Sequence, residues 1–98
     1  MRTFRTALQS YFLNGRAKPD SAIWRVARER HQLILRLLLA QRTKCGLTQQ
    51  ALADKMGRSR SFVSRYESGK RSLSVVEFVE LAEAMDFDVV AMLRQVER

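Results

Sequence analysis

Residues 47–71, LTQQALADKMGRSRSFVSRYESGKR, contain the patterns of two short helices joined by a tight turn. Thr48 precedes an apolar-periodic run, as an N-cap residue does, and Ser59 begins the second run in the same way. Gly57 predicts the turn between them, because glycine adopts the left-handed conformation that ends a helix at no steric cost. Gly69 ends the second helix by the same argument. The stretch therefore predicts two helices and a turn over residues 48–67.

The second predicted helix leaves hydrogen-bond donors on the face that its apolar residues do not use. This face contains Arg60, Ser61, Ser64 and Arg65. Glu67 is the only acidic residue between Gly57 and Ser74. A helix face with donors and no acid suits a groove lined with acceptors, and the DNA major groove is such a groove.

The same stretch resembles the helix-turn-helix of the Cro/repressor (XRE-type) family of bacterial and phage regulators. The resemblance rests on two spaced motifs, GLTQ-x-x-LA and S-x-x-S-x-x-E-x-G, and extends from about residue 33 to about residue 93. The matching residues are Leu47, Thr48, Gln49, Leu52, Ala53, Gly57, Ser59, Val63, Ser64, Tyr66, Glu67, Gly69 and Lys70. The resemblance implies an all-α, lambda-repressor-like DNA-binding domain of about five helices with an N-terminal helical extension.

The resemblance also implies roles for individual residues. The family's base-reading positions are occupied here by Arg60, Ser61, Ser64 and Arg65. Other members often have glutamine or asparagine at the first two positions, so their operators do not transfer to this chain. The expected phosphate contacts are Gln49, Arg58, Ser59, Ser68, Lys70 and Arg71. Gln49 holds a phosphate by resemblance, and it also begins a helix, where the dipole and free backbone N–H groups favour an anion.

Glu67 is expected to be structural. An acidic side chain at the end of a DNA-facing helix would be repelled by phosphate if it pointed outward, so Glu67 should pair with a cation inside the domain. Arg42, near the end of the preceding long helix, is the expected partner, and the resembled family has an ion pair at the matching positions.

The charge of the chain indicates a polyanionic partner. The net charge is +8 over 98 residues and is unevenly distributed. Residues 57–74 have five Lys/Arg and one acid, whereas residues 75–98 have two Lys/Arg and six acids. A polyanion would attract the first segment and be repelled by the second. Double-stranded DNA is therefore the expected partner, although a charge run by itself is more often a solvated surface.

Other classes of function find little support in the sequence. It contains no nucleophile–base pair, metal-ligand cluster or phosphate-cradling glycine loop, so we expect neither an enzyme nor a bound metal or cofactor. Cys45 is the only cysteine, which excludes an internal disulfide. The longest apolar run, residues 89–93, is far shorter than the roughly twenty residues of a membrane span. We expect a cytoplasmic, nucleoid-associated protein of bacterial or phage origin.

Residues 1–20 are expected to form an N-terminal arm or short helix, separate from the domain at residues 21–98. Phe4, Leu8, Tyr11 and Phe12 share one face of a helix, and residues 15–19 are the expected linker. A short helix packed on the domain, or a frayed tail, is the favoured interpretation. The alternatives are a basic arm that reaches DNA, a partner-binding helix and a membrane-surface helix.

A long helix is predicted before the motif. It begins after a cap at Asp20 or Ser21 and ends near Thr43. Its apolar stripe is widest at LILRLLLA, residues 33–40, which is wider than one partner helix requires. We therefore expect this helix to pack on two sides.

Two helices are predicted after the motif. Ser74 and Glu77 have the spacing of a capping box. The helix that they begin has the predicted inward face Val75, Phe78, Val79, Ala82 and Met85, with Leu81 beside it. Asp88 is expected to cap a last helix, and a strand over residues 87–93 is the alternative because Val-Val is β-prone.

The leading hypothesis is a sequence-specific DNA-binding transcriptional regulator that acts as a homodimeric repressor. One monomer reads about half an operator, and dimers bind half-sites about one helical turn apart. The first choice for the dimer surface is Val89, Met92, Leu93 and Val96, and the second is the stripe of the long helix. The alternative is an antitoxin that binds its operator and holds a toxin protein through residues 1–30. A third hypothesis, a protein-interaction module without DNA binding, is disfavoured by the basic residues of 57–74.

Overall fold

The computed structural model describes residues 22–97, which form helices and no strands. The helices are α1 (Ala22–Lys44), α2 (Gln49–Met56), α3 (Arg60–Glu67), α4 (Val75–Met85) and α5 (Val89–Glu97). The prediction of an all-α fold is confirmed over this range. The interpretations of residues 1–20 and of the cap at Asp20 or Ser21 lie outside the described residues. Within the described range, no helix has both the length and the apolarity to cross a membrane.

The ends of α2 follow the predicted local chemistry. The Thr48 hydroxyl accepts a hydrogen bond from the Ala51 backbone N–H at 3.0 Å. Gly57 has φ +67°, and the N–H of Arg58 closes the turn onto the Ala53 carbonyl at 2.9 Å. A left-handed residue is strained unless it is glycine, so this position determines where α2 ends.

Ser59 has the extended backbone of an N-cap before α3, but its side chain makes no capping hydrogen bond. Its hydroxyl instead lies 2.9 Å from the Ser61 hydroxyl. The predicted position is right and the predicted capping bond is wrong. At the other end of α3, Gly69 is left-handed with φ +79°, and the Lys70 N–H donates to the Arg65 carbonyl at 2.9 Å.

The core lies where α1, α2, α3 and α4 meet. Its fully buried side chains are Leu38, Leu52, Ala53, Val63, Tyr66, Leu81 and Met85. α2 packs against α3 and α4, and α1 packs against α3 and α5. Short helices such as α2 and α3 are marginal alone, so this packing holds them in place. α1 puts Leu38 into the core and leaves Leu39 43% exposed on another side.

The inward face of α4 differs from the prediction. The capping box is present, with the Glu77 N–H donating to the Ser74 hydroxyl and the Ser74 N–H to the Glu77 carboxylate. Val75 and Val79, however, are 81% and 39% exposed. The buried face is Phe78, Leu81, Ala82 and Met85. This face is rotated about the helix axis from the predicted one, so that Leu81, expected beside the face, is fully buried.

α5 is a helix, so the alternative of a terminal strand is wrong. The Asp88 side chain accepts from the Ala91 N–H at 3.1 Å, as its predicted capping role requires. Met92 and Val96 are buried within their own chain. These two residues are therefore not available for the dimer surface predicted from the sequence. The large apolar side chains that α5 leaves exposed are Val90 and Leu93.

Candidate DNA-binding surface

One face of α3 points to solvent and the other is fixed in the core. Arg60, Ser61, Ser64 and Arg65 are all exposed, and we call them the reading face. Phe62, Val63 and Tyr66 are buried, with the Phe62 and Tyr66 rings 5.5 Å apart. Because the buried face is so firmly packed, the direction of the reading face is determined by the core.

The C-terminal end of α3 is held by an ion pair. Arg42 Nε donates to Glu67 Oε2 at 2.6 Å, and Arg42 Nη2 donates to Glu67 Oε1 at 3.1 Å. A third Arg42 N–H donates to the Leu47 carbonyl at 2.9 Å. The hydrogen bond to Glu67 raises the pKa of Arg42 above its ordinary value. The partner expected from the sequence is thus the one present, and Glu67 points away from the reading face.

Gln49 joins the same ion pair. Its amide nitrogen donates to Glu67 Oε1 at 3.0 Å. The sequence predicts a phosphate contact for this amide, whereas in the structure it gives Glu67 Oε1 a second hydrogen bond. A side-chain amide has two N–H groups, so one donor remains for a phosphate at the start of α2.

Two further arginines expected at phosphates are engaged inside the chain. Arg71 donates to both carboxylate oxygens of Glu77, at 2.9 and 2.7 Å. Arg58 donates to Glu80 at 3.1 and 3.2 Å, and one of its nitrogens lies 3.8 Å from Glu77. Each guanidinium carbon lies 4.8 Å from the centre of the Phe62 ring. We call Arg58, Phe62, Arg71, Glu77 and Glu80 the Glu77 cluster.

Glu77 is an acid held ionised in a buried position. The residue is 8% exposed, and it accepts from the Ser74 backbone N–H at 2.8 Å as well as from Arg71. The Arg71 hydrogen bonds, followed by the Ser74 N–H, lower the pKa of Glu77 from its ordinary 4.5 to about 2. The same pairing raises the pKa of Arg71.

From the sequence, Glu77 is predicted only as a capping residue, and no role is predicted for Glu80. The available signal was the acidic segment that directly follows the basic one. It did not reveal which acids turn back toward α3.

Three basic side chains in the reading face or next to it have no carboxylate partner among the described residues. Arg60, Arg65 and Lys70 are exposed and form no ion pair with any residue from 22 to 97. Hydroxyls lie among them: Ser59 and Ser61 contact each other, and the Ser68 hydroxyl donates to the Arg65 carbonyl at 3.1 Å. The surface therefore offers exposed cations and small hydroxyls on one side of the domain, without an exposed acid on α3.

Comparison with known proteins gives the class of this surface. A family model described as helix-turn-helix matches residues 38–90. Among solved structures, the chain is similar to an XRE-family like protein from Pseudomonas syringae pv. tomato str. DC3000. The two share 38% identity with a TM-score of 0.75, over 78% of this chain and 93% of that one. A search of curated proteins found no match.

The fold and the exposed face of α3 thus define a helix-turn-helix DNA-binding domain. The chain belongs to the XRE-type family of helix-turn-helix proteins. Membership in this family makes it a DNA-binding transcription regulator, with α2 and α3 as the two helices of the motif.

Proposed function

We propose that this regulator recognises a specific operator by placing α3 in the DNA major groove and that it represses transcription as a homodimer. The observation that carries the proposal is the reading face, whose four side chains are exposed donors on a helix fixed from behind. Helices of this motif dock with their N-terminal residues toward base edges. Arg60 and Ser61 occupy that end of α3.

The reading face has the chemistry for direct readout. A guanidinium can pair bidentately with guanine O6 and N7, and each good pair discriminates by about 1–3 kcal/mol. Arg60 and Arg65 supply two such groups. Ser61 and Ser64 can donate to or accept from either kind of base edge. Recognition by these side chains would be sequence-specific.

Phosphate contacts would set the register of α3 on the duplex. Lys70 is the exposed, uncommitted cation that follows α3, and Ser68 and Ser59 flank the helix with hydroxyls. The remaining N–H of Gln49 lies at the start of α2, where the helix dipole favours a phosphate. Such contacts position the protein without reading sequence.

A homodimer would place two copies of α3 on successive turns of the same duplex face. Leu93, which is 40% exposed, is the accessible residue of the dimer surface expected from the sequence, and Val90, which was not part of that surface, is 57% exposed on the same helix. A dimer bound over a promoter would repress by excluding RNA polymerase. This action requires no chemistry beyond binding.

Selection of bound sequences from a random duplex pool tests the proposal. We expect enrichment of two related half-sites with inverted symmetry, centred about one helical turn apart. Transcription of a reporter gene whose promoter contains the selected site should fall when the protein is expressed. Recovery of sequences indistinguishable from the starting pool would contradict sequence-specific recognition.

A further inference from the structure

The Glu77 cluster lies against α3 and joins its two flanks. Arg58 precedes α3 and Arg71 follows it, yet both guanidiniums lie on the ring of Phe62, the third residue of the helix. Both are paired with carboxylates of α4. The charges of two arginines and two glutamates in this cluster cancel.

We propose that Glu77 is a specificity-determining residue. It keeps Arg71 from contacting the DNA backbone, and together with Glu80 it keeps Arg58 from doing so. The inference rests on the proposed function, and it deepens it by assigning a role to acids that touch no DNA. Glu77 limits how much of the binding comes from phosphates, whose contacts carry no sequence information.

Separating Arg71 from Glu77 would cost free energy, because the geometry of their pair is favourable. Two of its N–H groups are directed at the two Glu77 oxygens, and Arg71 Nη1 also donates to the Ser72 carbonyl at 3.1 Å. A bidentate guanidinium–carboxylate pair is among the stronger hydrogen-bonded arrangements in proteins. A phosphate that took Arg71 would leave the buried Glu77 carboxylate without its main partner, and uncompensated buried charge is costly.

Arg58 is held in a similar way from the other side. Its Nε and Nη2 both donate to Glu80, at 3.1–3.4 Å, and Phe62 covers the face of the guanidinium. Of the five basic residues in 57–74, this leaves Arg60, Arg65 and Lys70 to attract DNA. Non-specific affinity scales with the number of phosphates neutralised, so the pairing lowers binding to random DNA more than it lowers base readout.

The salt dependence of binding to a random duplex tests this role. Glu77→Gln removes the charge but keeps a side-chain carbonyl that can accept from the Ser74 N–H, so the helix cap is largely preserved. Freeing Arg71 should steepen the slope of log affinity against log salt concentration by about 0.9. For a fourfold rise in salt concentration, the variant should therefore lose roughly three- to fourfold more affinity than the wild type. Glu80→Gln, at a more exposed carboxylate, should steepen the slope through Arg58 in the same direction.

Two controls separate this effect from a change in net charge. Glu83→Gln makes the same charge change at an exposed position of α4, and we expect its slope to equal that of the wild type. The double variant Glu77→Gln with Arg71→Gln restores the net charge and removes the freed cation, so it should also return to the wild-type slope. Lys70→Ala, by contrast, should make the slope shallower by about 0.9.

The outcomes are distinct. The slope of the double variant could be shallower than that of the wild type, as we expect for Lys70→Ala. In that case Arg71 already contacts phosphate in the wild type, and the inference is overturned. It is also overturned if Glu77→Gln and Glu80→Gln match Glu83→Gln. Either result leaves DNA binding itself intact, whereas a wild type without salt-dependent binding to any duplex would overturn the proposed function as well.

Discussion

Arg42 and Glu67 are 25 residues apart in sequence and are joined by two hydrogen bonds, the shorter of them 2.6 Å from Nε to Oε2. The pair ties the last turn of α1 to the last residue of α3. Their side chains are only 16% and 9% exposed, so water screens the interaction weakly. This contact keeps the only acid of α3 away from the surface that would meet DNA.

Replacing Glu67 by alanine should lower the free energy of unfolding by about 3 kcal/mol, because Arg42 would lose its partner in a largely buried position. Urea denaturation measures the change. Alanine at Glu83, which is exposed, is the control and should shift stability by less than about 0.5 kcal/mol. In a double-mutant cycle, the loss for Arg42→Ala with Glu67→Ala should be smaller than the sum of the single losses. An unchanged urea midpoint for Glu67→Ala would reject the structural role of the pair.

Tyr66→Phe should leave the fold intact and raise the free energy of unfolding by about 1 kcal/mol, because a buried hydroxyl without a partner costs stability. Tyr66 is fully buried, and its hydroxyl has no hydrogen-bond partner in the described part of the chain. Burial raises the pKa of Tyr66, so the hydroxyl stays neutral. Tyr66→Leu, which removes the ring, is the control and should destabilise. A loss of stability in Tyr66→Phe would mean that the hydroxyl has a partner in solution.

Glu77 should make the stability of the domain depend on acid. Its pKa is lower in the folded chain, about 2, than its ordinary value of 4.5. The stability from its pairing is therefore fully present above pH 4.5 and is lost as pH falls through about 2. Unfolding of the wild type and Glu77→Gln, measured at intervals from pH 6 to pH 2, should give a difference that shrinks over this window. A difference that stays constant with pH would show that the carboxylate is not held ionised by its partners.

The motif and the start of α4 were predictable because their signals are local. Thr48 caps α2 with its own hydroxyl, Gly57 takes the left-handed conformation, and Ser74 and Glu77 bond each other three residues apart. Each of these depends on one turn of backbone and a few neighbouring side chains. The outward direction of Arg60 and Arg65 follows from the burial of Phe62 and Tyr66 on the same short helix.

The errors arose where the outcome depends on how helices meet. Val75 and Val79 are apolar and suitably spaced, but α4 is rotated so that Phe78 and Leu81 enter the core. The same rotation directs Glu77 toward Arg71, a pairing that residue spacing alone does not reveal. Met92 is likewise buried inside its own domain, because α5 packs against α1. The apolar stripe of α5 alone does not show whether it packs on α1 or on a second copy of the chain.

In the proposed complex, α3 reads bases while Lys70 binds the DNA backbone. This division of roles is tested most directly by measuring affinity for every single-base variant of a selected site with three proteins: wild type, Arg65→Ala and Lys70→Ala. Arg65→Ala should lose about 1–3 kcal/mol of binding free energy and should bind equally well whichever base occupies one position of each half-site. Lys70→Ala should weaken binding to all site variants by a similar factor. Uniform weakening by Arg65→Ala, with the base preferences of the wild type kept at every position, would contradict base readout by α3.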